Sequence, residues 1–182
     1  AFAALKNDGS VVTWGGHYQP NGKYFYGYNG GGDTSSVKDK LTSGVKTIFS
    51  TGHAFAALKN DGSVITWGEG AAGGGGSTGF KKYNDYNNQD LIKGLKSGVV
   101  EIFSNDSAFA ALKNDGSVIT WGGNYEPDGS YQRSFNGGGD SSSVKDKLTS
   151  GVKTIFSTGA AFAALKNDGS VITWGEGAAG GG

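Results

Sequence analysis

Fifteen residues, AFAALKNDGSVITWG, occupy positions 54–68 and recur unchanged at 108–122 and 161–175. Positions 1–15 repeat them with one change, Val12 in place of isoleucine. The four tryptophans, Trp14, Trp67, Trp121 and Trp174, stand 53, 54 and 53 residues apart. A fixed period of this size points to a stacked or propeller array, in which each unit rests on its neighbours.

The fifteen residues read as a β-hairpin. AFAALK and SVITWG are short runs rich in apolar and β-branched residues, and Asn60, Asp61 and Gly62 between them are a strong turn signal. A two-residue turn at Asp61-Gly62 sets Leu58 opposite Ile65 and Ala56 opposite Trp67, small against large. A three-residue loop with Gly62 left-handed shifts the pairing by one. Either way both faces are largely apolar, so the hairpin needs cover on both sides. A third strand precedes each complete hairpin: VKTIFST at 45–51, VVEIFSN at 99–105 and VKTIFST at 152–158. Alternation puts Val45, Thr47 and Phe49 on one side. The polar stretch before it, such as SSVKDKLTS, reads as one helical turn or an edge strand.

The units alternate. Residues 1–53 match 108–160 at 42 of 53 positions, and 54–75 match 161–182 throughout, so the full period is 107 residues. The chain divides into a first unit type at 1–53, a second at 54–107, the first again at 108–160, and part of the second at 161–182. The fold class is all-β: tandem 53–54-residue antiparallel sheets, as propeller-like blades or an open stack. The chain opens and closes inside a repeat, and we expect it to be a piece of something longer or a processed product. The hairpin at Ala1 and the cut unit at Gly182 are the natural joining points.

Composition narrows the function. Sixteen basic residues balance sixteen acidic ones, so the basic excess of a nucleic-acid binder is missing. Charged residues are 18% against about 25% in ordinary soluble domains, and Asn, Ser, Thr, Gly and Tyr supply the polar surface, as in secreted adhesive proteins. Glycine takes 35 of 182 positions, yet four tryptophans and ten phenylalanines argue against disorder. With no cysteine there is no disulfide frame and no thiolate site. No apolar run reaches the ~18 residues a membrane span needs.

SGVKTIFSTGHAFAALKNDGSVITWG, at 43–68, resembles the regulator-of-chromosome-condensation repeat: a Gly-Val strand, a turn with His, an Ala-Leu strand, an Asp-Gly turn and a strand ending in Trp-Gly. The likeness covers about half of each unit, and secreted bacterial members look closer than the nuclear exchange factor. It implies propeller blades. The family's rings usually have seven, and strict alternation of two unit types clashes at the closure of an odd ring. Hence the array has an even count or stays open.

Chemistry-bearing motifs are scarce. The glycine run at 70–78 lacks the lysine and following helix of a phosphate loop. Asn60-Asp61-Gly62 lacks the alternating oxygens and closing Glu of a calcium loop; 29–36 and 83–90 are richer in oxygen ligands, so calcium is the one cofactor considered, and otherwise none is expected. His17 and His53 are replaced by Asn124 and Ala160 in the matching unit, and no Ser or carboxylate is tied to either. Glu69 and Glu176 belong to separate units, a poor acid/base pair. No catalytic residue, no metal ligand and no enzyme are expected. The aromatic loops are the binding candidates: Tyr18, Tyr24, Tyr26 and Tyr28; Tyr83 and Tyr86; Tyr125, Tyr131 and Phe135. Tyr offers contact area at small entropy cost, and ten of the eleven differences between the matched units fall between His17 and His53. Variable loops on a fixed scaffold suit binding; the same rings would also serve to cap sheet edges.

The sequence therefore predicts a non-enzymatic structural or adhesive repeat segment of a large extracellular or surface protein, self-associating into an array or fibre. The alternative is a propeller-type protein-binding module, a secreted inhibitor or receptor that uses the tyrosine loops on a protein or surface ligand. No nucleic-acid partner and no membrane span are expected.

Overall fold

The computed structural model describes residues 1–15, 17–18, 28–29, 31–70, 72–75, 88–123 and 136–182, with backbone alone at 17–18, 28–29 and 88–89. In chain order the strands are β1 (Phe2–Leu5), β2 (Val11–Trp14), β3 (His17–Tyr18), β4 (Tyr28–Asn29), β5 (Val45–Ser50), β6 (Ala54–Lys59) and β7 (Val64–Gly68). After the helix α1 (Asn88–Gly94) come β8 (Val99–Ser104), β9 (Ala108–Lys113), β10 (Val118–Gly122), β11 (Val152–Ser157), β12 (Ala161–Lys166) and β13 (Val171–Gly175). They form antiparallel sheets in tandem: β1-β2, β5-β6-β7, β8-β9-β10 and β11-β12-β13, with the small pair β3-β4 between the first two in sequence. Each three-stranded sheet takes its outer strand from the end of one sequence unit and its hairpin from the start of the next.

The hairpin turn is the three-residue loop. Lys59 N donates to Ser63 O at 2.9 Å and Gly62 N to Lys59 O at 3.0 Å, leaving Asn60, Asp61 and Gly62 as the loop. Gly62 stands at φ 77°, the left-handed position that a type I turn followed by a G1 bulge demands. Asp61 Oδ1 fixes the turn by accepting from Ser63 N at 2.9 Å and Ser63 Oγ at 2.6 Å. The pairing is thereby Leu58↔Val64, Ala57↔Ile65, Ala56↔Thr66 and Phe55↔Trp67. Of the two loop lengths the sequence allows, the three-residue one forms, so Trp67 pairs with Phe55 and not with Ala56, and the large rings face each other within the hairpin. Small-against-large packing occurs instead between sheets.

The outer strands also depart from simple alternation. A bulge between Val45 and Thr47 recurs at Val99/Glu101 and Val152/Thr154. The extra residue shifts the pleat, so Val152 and Ile155 are buried together while Phe156 is 60% exposed. The expected trio Val45, Thr47 and Phe49 is split, with Val45 and Ile48 facing the preceding sheet and Phe49 the following one. The polar stretches before these strands are helical turns, 3-10 at Lys38–Leu41 and Ser142–Leu148 and α in α1. Leu41 and Leu148 from the 3-10 turns, and Leu95 just after α1, plug the sheet-to-sheet cores.

The core is a series of layers. Ala54, Ala56, Leu58 and Val64 on one sheet pack against Phe109, Ala111 and Trp121 on the next. Ala108, Ala110 and Leu112 then pack against Phe162, Ala164 and Trp174. Both faces of each inner sheet are consumed this way, as its two apolar faces require. Backbone bonds tie the layers: Val45, Val99 and Val152 donate their N–H to Gly9, Gly62 and Gly116 carbonyls, each at 3.0 Å. The array is open. The outer face of the first sheet exposes Phe2 (67%), Val12 and Trp14 (51%), and that of the last exposes Phe156 and Val171.

Candidate binding surfaces

A Phe–Trp pair sits on the same face of each of the four sheets that contain the repeated hairpin, because positions two and fourteen of that hairpin are cross-strand partners. The rings stack at 5.5 Å for Phe2–Trp14, 5.3 Å for Phe55–Trp67, 5.2 Å for Phe109–Trp121 and 5.5 Å for Phe162–Trp174. Three of the pairs enter a socket made by the glycine loop that follows the preceding sheet. Trp67 Nε1 donates to Gly31 O at 2.9 Å, Trp121 Nε1 to Gly73 O at 3.1 Å and Trp174 Nε1 to Gly138 O at 2.9 Å. A buried indole N–H needs such a partner. The Phe ring lies close against the glycine: a Cβ added at Gly31, Gly73 or Gly138 would stand 2.5, 2.6 or 2.5 Å from it. That contact accounts for the glycine runs on packing grounds, and no phosphate chemistry is needed.

In each three-stranded sheet, the residue that follows the outer strand holds the socket loop. Thr51 Oγ1 accepts from Ala54 N at 3.0 Å and donates to Ala72 O at 3.1 Å. Asn105 does the same work with an amide: Oδ1 accepts from Ser107 N at 3.0 Å and Ala108 N at 2.7 Å, and Nδ2 donates to Gly137 O at 2.6 Å. Thr158 repeats the Thr51 pattern, accepting from Ala161 N and donating to Ala179 O, both at 3.1 Å.

Of the tyrosine-loop candidates, Tyr18 and Tyr28 are backbone partners across β3-β4. Tyr24, Tyr26, Tyr83, Tyr86, Tyr125, Tyr131 and Phe135 lie outside the described residues. His53 is half-buried, and burial lowers its pKa, offset in part by Glu69. The turn carboxylates Asp61, Asp115 and Asp168 are lowered by the hydroxyls of Ser63, Ser117 and Ser170, and Asp8 is held at about 2 by Ser10. Among the described residues, no group of three or more His, Cys, Asp or Glu side chains stands close enough to hold a metal ion. No helix of the described residues is long and apolar enough to cross a membrane. Sequence reasoning singled out the hairpin at Ala1 and the unit cut at Gly182 but not their exposed side chains Phe2, Val12, Trp14, Phe156 and Val171. Their buried counterparts in the inner copies were the available signal.

The arrangement is similar to that of solved RCC1 structures. Yeast RCC1 (Prp20) in its crystal structure with Kap60 bound aligns over 95% of this chain and 39% of its own, with 18% identity and a TM-score of 0.52. Prp20p from Saccharomyces cerevisiae, in a structure described with its binding to Gsp1p and histones, aligns over 95% and 41% with 17% identity and a TM-score of 0.48. Human WBSCR16 aligns over 95% and 44% with 20% identity and a TM-score of 0.45. No protein-family sequence pattern matches the chain. The first of these likenesses shows the fold: tandem blades of the RCC1 repeat type. The chain spans about two fifths of the length of the solved proteins it matches.

Proposed function

We propose that this chain is a non-enzymatic structural or adhesive repeat segment of a large extracellular or surface protein, whose product is length and multiplicity of contact. The observation that carries the reading is the use of both faces of every inner sheet for stacking. Function is left to the ends, the edges and the loops, and each added unit extends the array through the same contact. The low charge and the Asn, Ser, Thr and Tyr-rich surface support an extracellular setting. Chains carrying one, two and three 107-residue periods, measured by small-angle X-ray scattering, test it. The longest dimension grows by a constant step if the array is open. A dimension that stops growing as blades close into a ring overturns it.

A second reading is favoured by one observation: the matched units differ mainly between His17 and Tyr28 on a constant scaffold. On that reading the chain is part of a propeller-type module that binds a protein through its tyrosine loops, akin to secreted bacterial inhibitors. Yeast RCC1, a protein with this fold, has been solved with Kap60 bound. Ring closure in the scattering series, followed by loss of a protein ligand on replacing Tyr24 and Tyr26 with Ala, would select it.

A further inference from the structure

Asparagine occurs twelve times in the 182 residues, and only after Asn105 does a serine or threonine stand two places on. Asn105-Asp106-Ser107 is thus an acceptor sequence for N-linked glycosylation, a pattern that ordinarily marks an exposed loop. Here it is folded inwards. Asn105 is 9% exposed and Ser107 3%. The amide nitrogen donates to Gly137 O at 2.6 Å, and the amide oxygen accepts from Ser107 N and Ala108 N. A Cβ added at Gly138 would stand 3.6 Å from the same nitrogen, so the backbone of the socket loop walls it in.

The hydroxyl is treated differently. Ser107 Oγ is buried and, among the described residues, is the one such side-chain atom with no hydrogen-bond partner. The matching positions carry His53 and Ala160, where the socket loop is held by Thr51 and Thr158. The chain therefore places a hydroxyl that the fold does not use beside the one socket anchor made with an amide.

We propose that Asn105 is a conditional glycosylation site, open in the unfolded chain and closed by folding, and that a glycan there keeps the socket at Gly137 and Gly138 from forming. In the covalent step the amide Nδ2 attacks C1 of an oligosaccharide carried on a lipid pyrophosphate. The Nδ2–C1 bond forms, the C1–O bond to the pyrophosphate breaks, and one amide proton passes to a base of the transferase. Amide and hydroxyl must both be presented free, and in the folded chain neither is. An attached sugar occupies the space between Nδ2 and the socket loop, which displaces Gly138 O from Trp174 Nε1. The order of events decides the outcome. Gly137 lies 32 residues beyond Asn105, so a chain threaded N-terminus first through a membrane exposes the acceptor before its partner has emerged. Nothing in this step depends on whether the array is open or closed into a ring.

Two presentations of the full chain test the site. In one it is translated into microsomes, which hold the transferase and its lipid-linked donor; in the other the folded chain meets the same enzyme solubilised in detergent. A gain in mass that an endoglycosidase removes reads the modification. The nascent chain is expected to be modified and the folded chain not. Ser107→Ala, which leaves every Asn105 bond in place, is expected to abolish the modification. The glycan-bearing chain, even when trimmed to its first sugar, is expected to be cut by trypsin on the order of tenfold faster than the bare chain, since it has lost a buried hydrogen-bonded anchor. The proposal is overturned by a folded chain that accepts the glycan, a nascent chain that does not, or modification that survives Ser107→Ala. A trimmed chain as resistant as the bare one overturns it too.

Discussion

Gly73→Ala and Gly180→Ala place the same methyl group on the same backbone conformation, once inside the stack and once at its open end. Both glycines have positive φ, 99° and 96°, so both substitutions carry a left-handed strain of roughly 1–2 kcal/mol. At Gly73 the new Cβ also meets Phe109 Cδ2 at 2.6 Å, Phe109 Cε2 at 2.8 Å and Trp121 Cδ1 at 3.2 Å. Those rings are 0% and 4% exposed and stacked at 5.2 Å, so they have no free space to retreat into. Overpacking of this kind adds roughly 1–3 kcal/mol, for a total of about 2–5 kcal/mol at Gly73. At Gly180 only the strain remains, and it acts on a terminal turn. Urea unfolding at low protein concentration reads the difference as a shift in midpoint at unchanged slope. Equal losses at the two sites would show that the glycines are required by backbone conformation alone, and would refute the plug-and-socket description of the junction.

Three further predictions follow from the same contacts. Trp121→Phe removes the buried N–H that Gly73 O accepts and is expected to cost roughly 1–3 kcal/mol, whereas Trp14→Phe on the exposed outer face costs little in monomer stability; thermal or urea unfolding of both compares them. Asn105→Ala withdraws an acceptor from Ser107 N and Ala108 N and a donor from Gly137 O, for a loss of roughly 2–4 kcal/mol; Asn105→Thr, which installs the group used at Thr51 and Thr158, should recover most of it in the same assay. The depressed carboxylates of the four hairpin turns stabilise the fold above their unfolded pKa near 3.8, and this is lost as pH falls towards about 2, the value at Asp8. Melting temperature against pH should show that acid limb, flattened when Ser10, Ser63, Ser117 and Ser170 are changed to Ala, and unchanged slopes would contradict it.

Periodicity made the array legible. A period of 53–54 residues, apolar hairpins and an Asn-Asp-Gly turn were enough for tandem antiparallel sheets, because each feature acts locally. Pairing was not legible to one residue: Asp61-Gly62 supports two loop lengths, and the choice depends on Ser63 bonding back to Asp61. The bulge at Val45/Thr47 carries no local mark, so simple alternation puts Val45 and Phe49 on one side where the structure separates them. Glycine runs read as loops, but their use as sockets depends on rings some 36 or 48 residues away, which no local pattern encodes. The end faces were hidden for the opposite reason: Phe2 and Trp14 are written in the same letters as Phe109 and Trp121, and only the stacking order separates an exposed copy from a buried one.

The central claim is that each Phe–Trp pair is seated in the socket of the sheet before it, except the first. Solvent exchange of the four indole N–H groups, followed by NMR at low protein concentration, measures it directly. Trp67, Trp121 and Trp174 are 2%, 4% and 1% exposed and hydrogen-bonded to glycine carbonyls, so three slow resonances and one fast one, Trp14, are expected. Four resonances of similar exchange rate, or a fast one assigned to an inner tryptophan, would contradict the account.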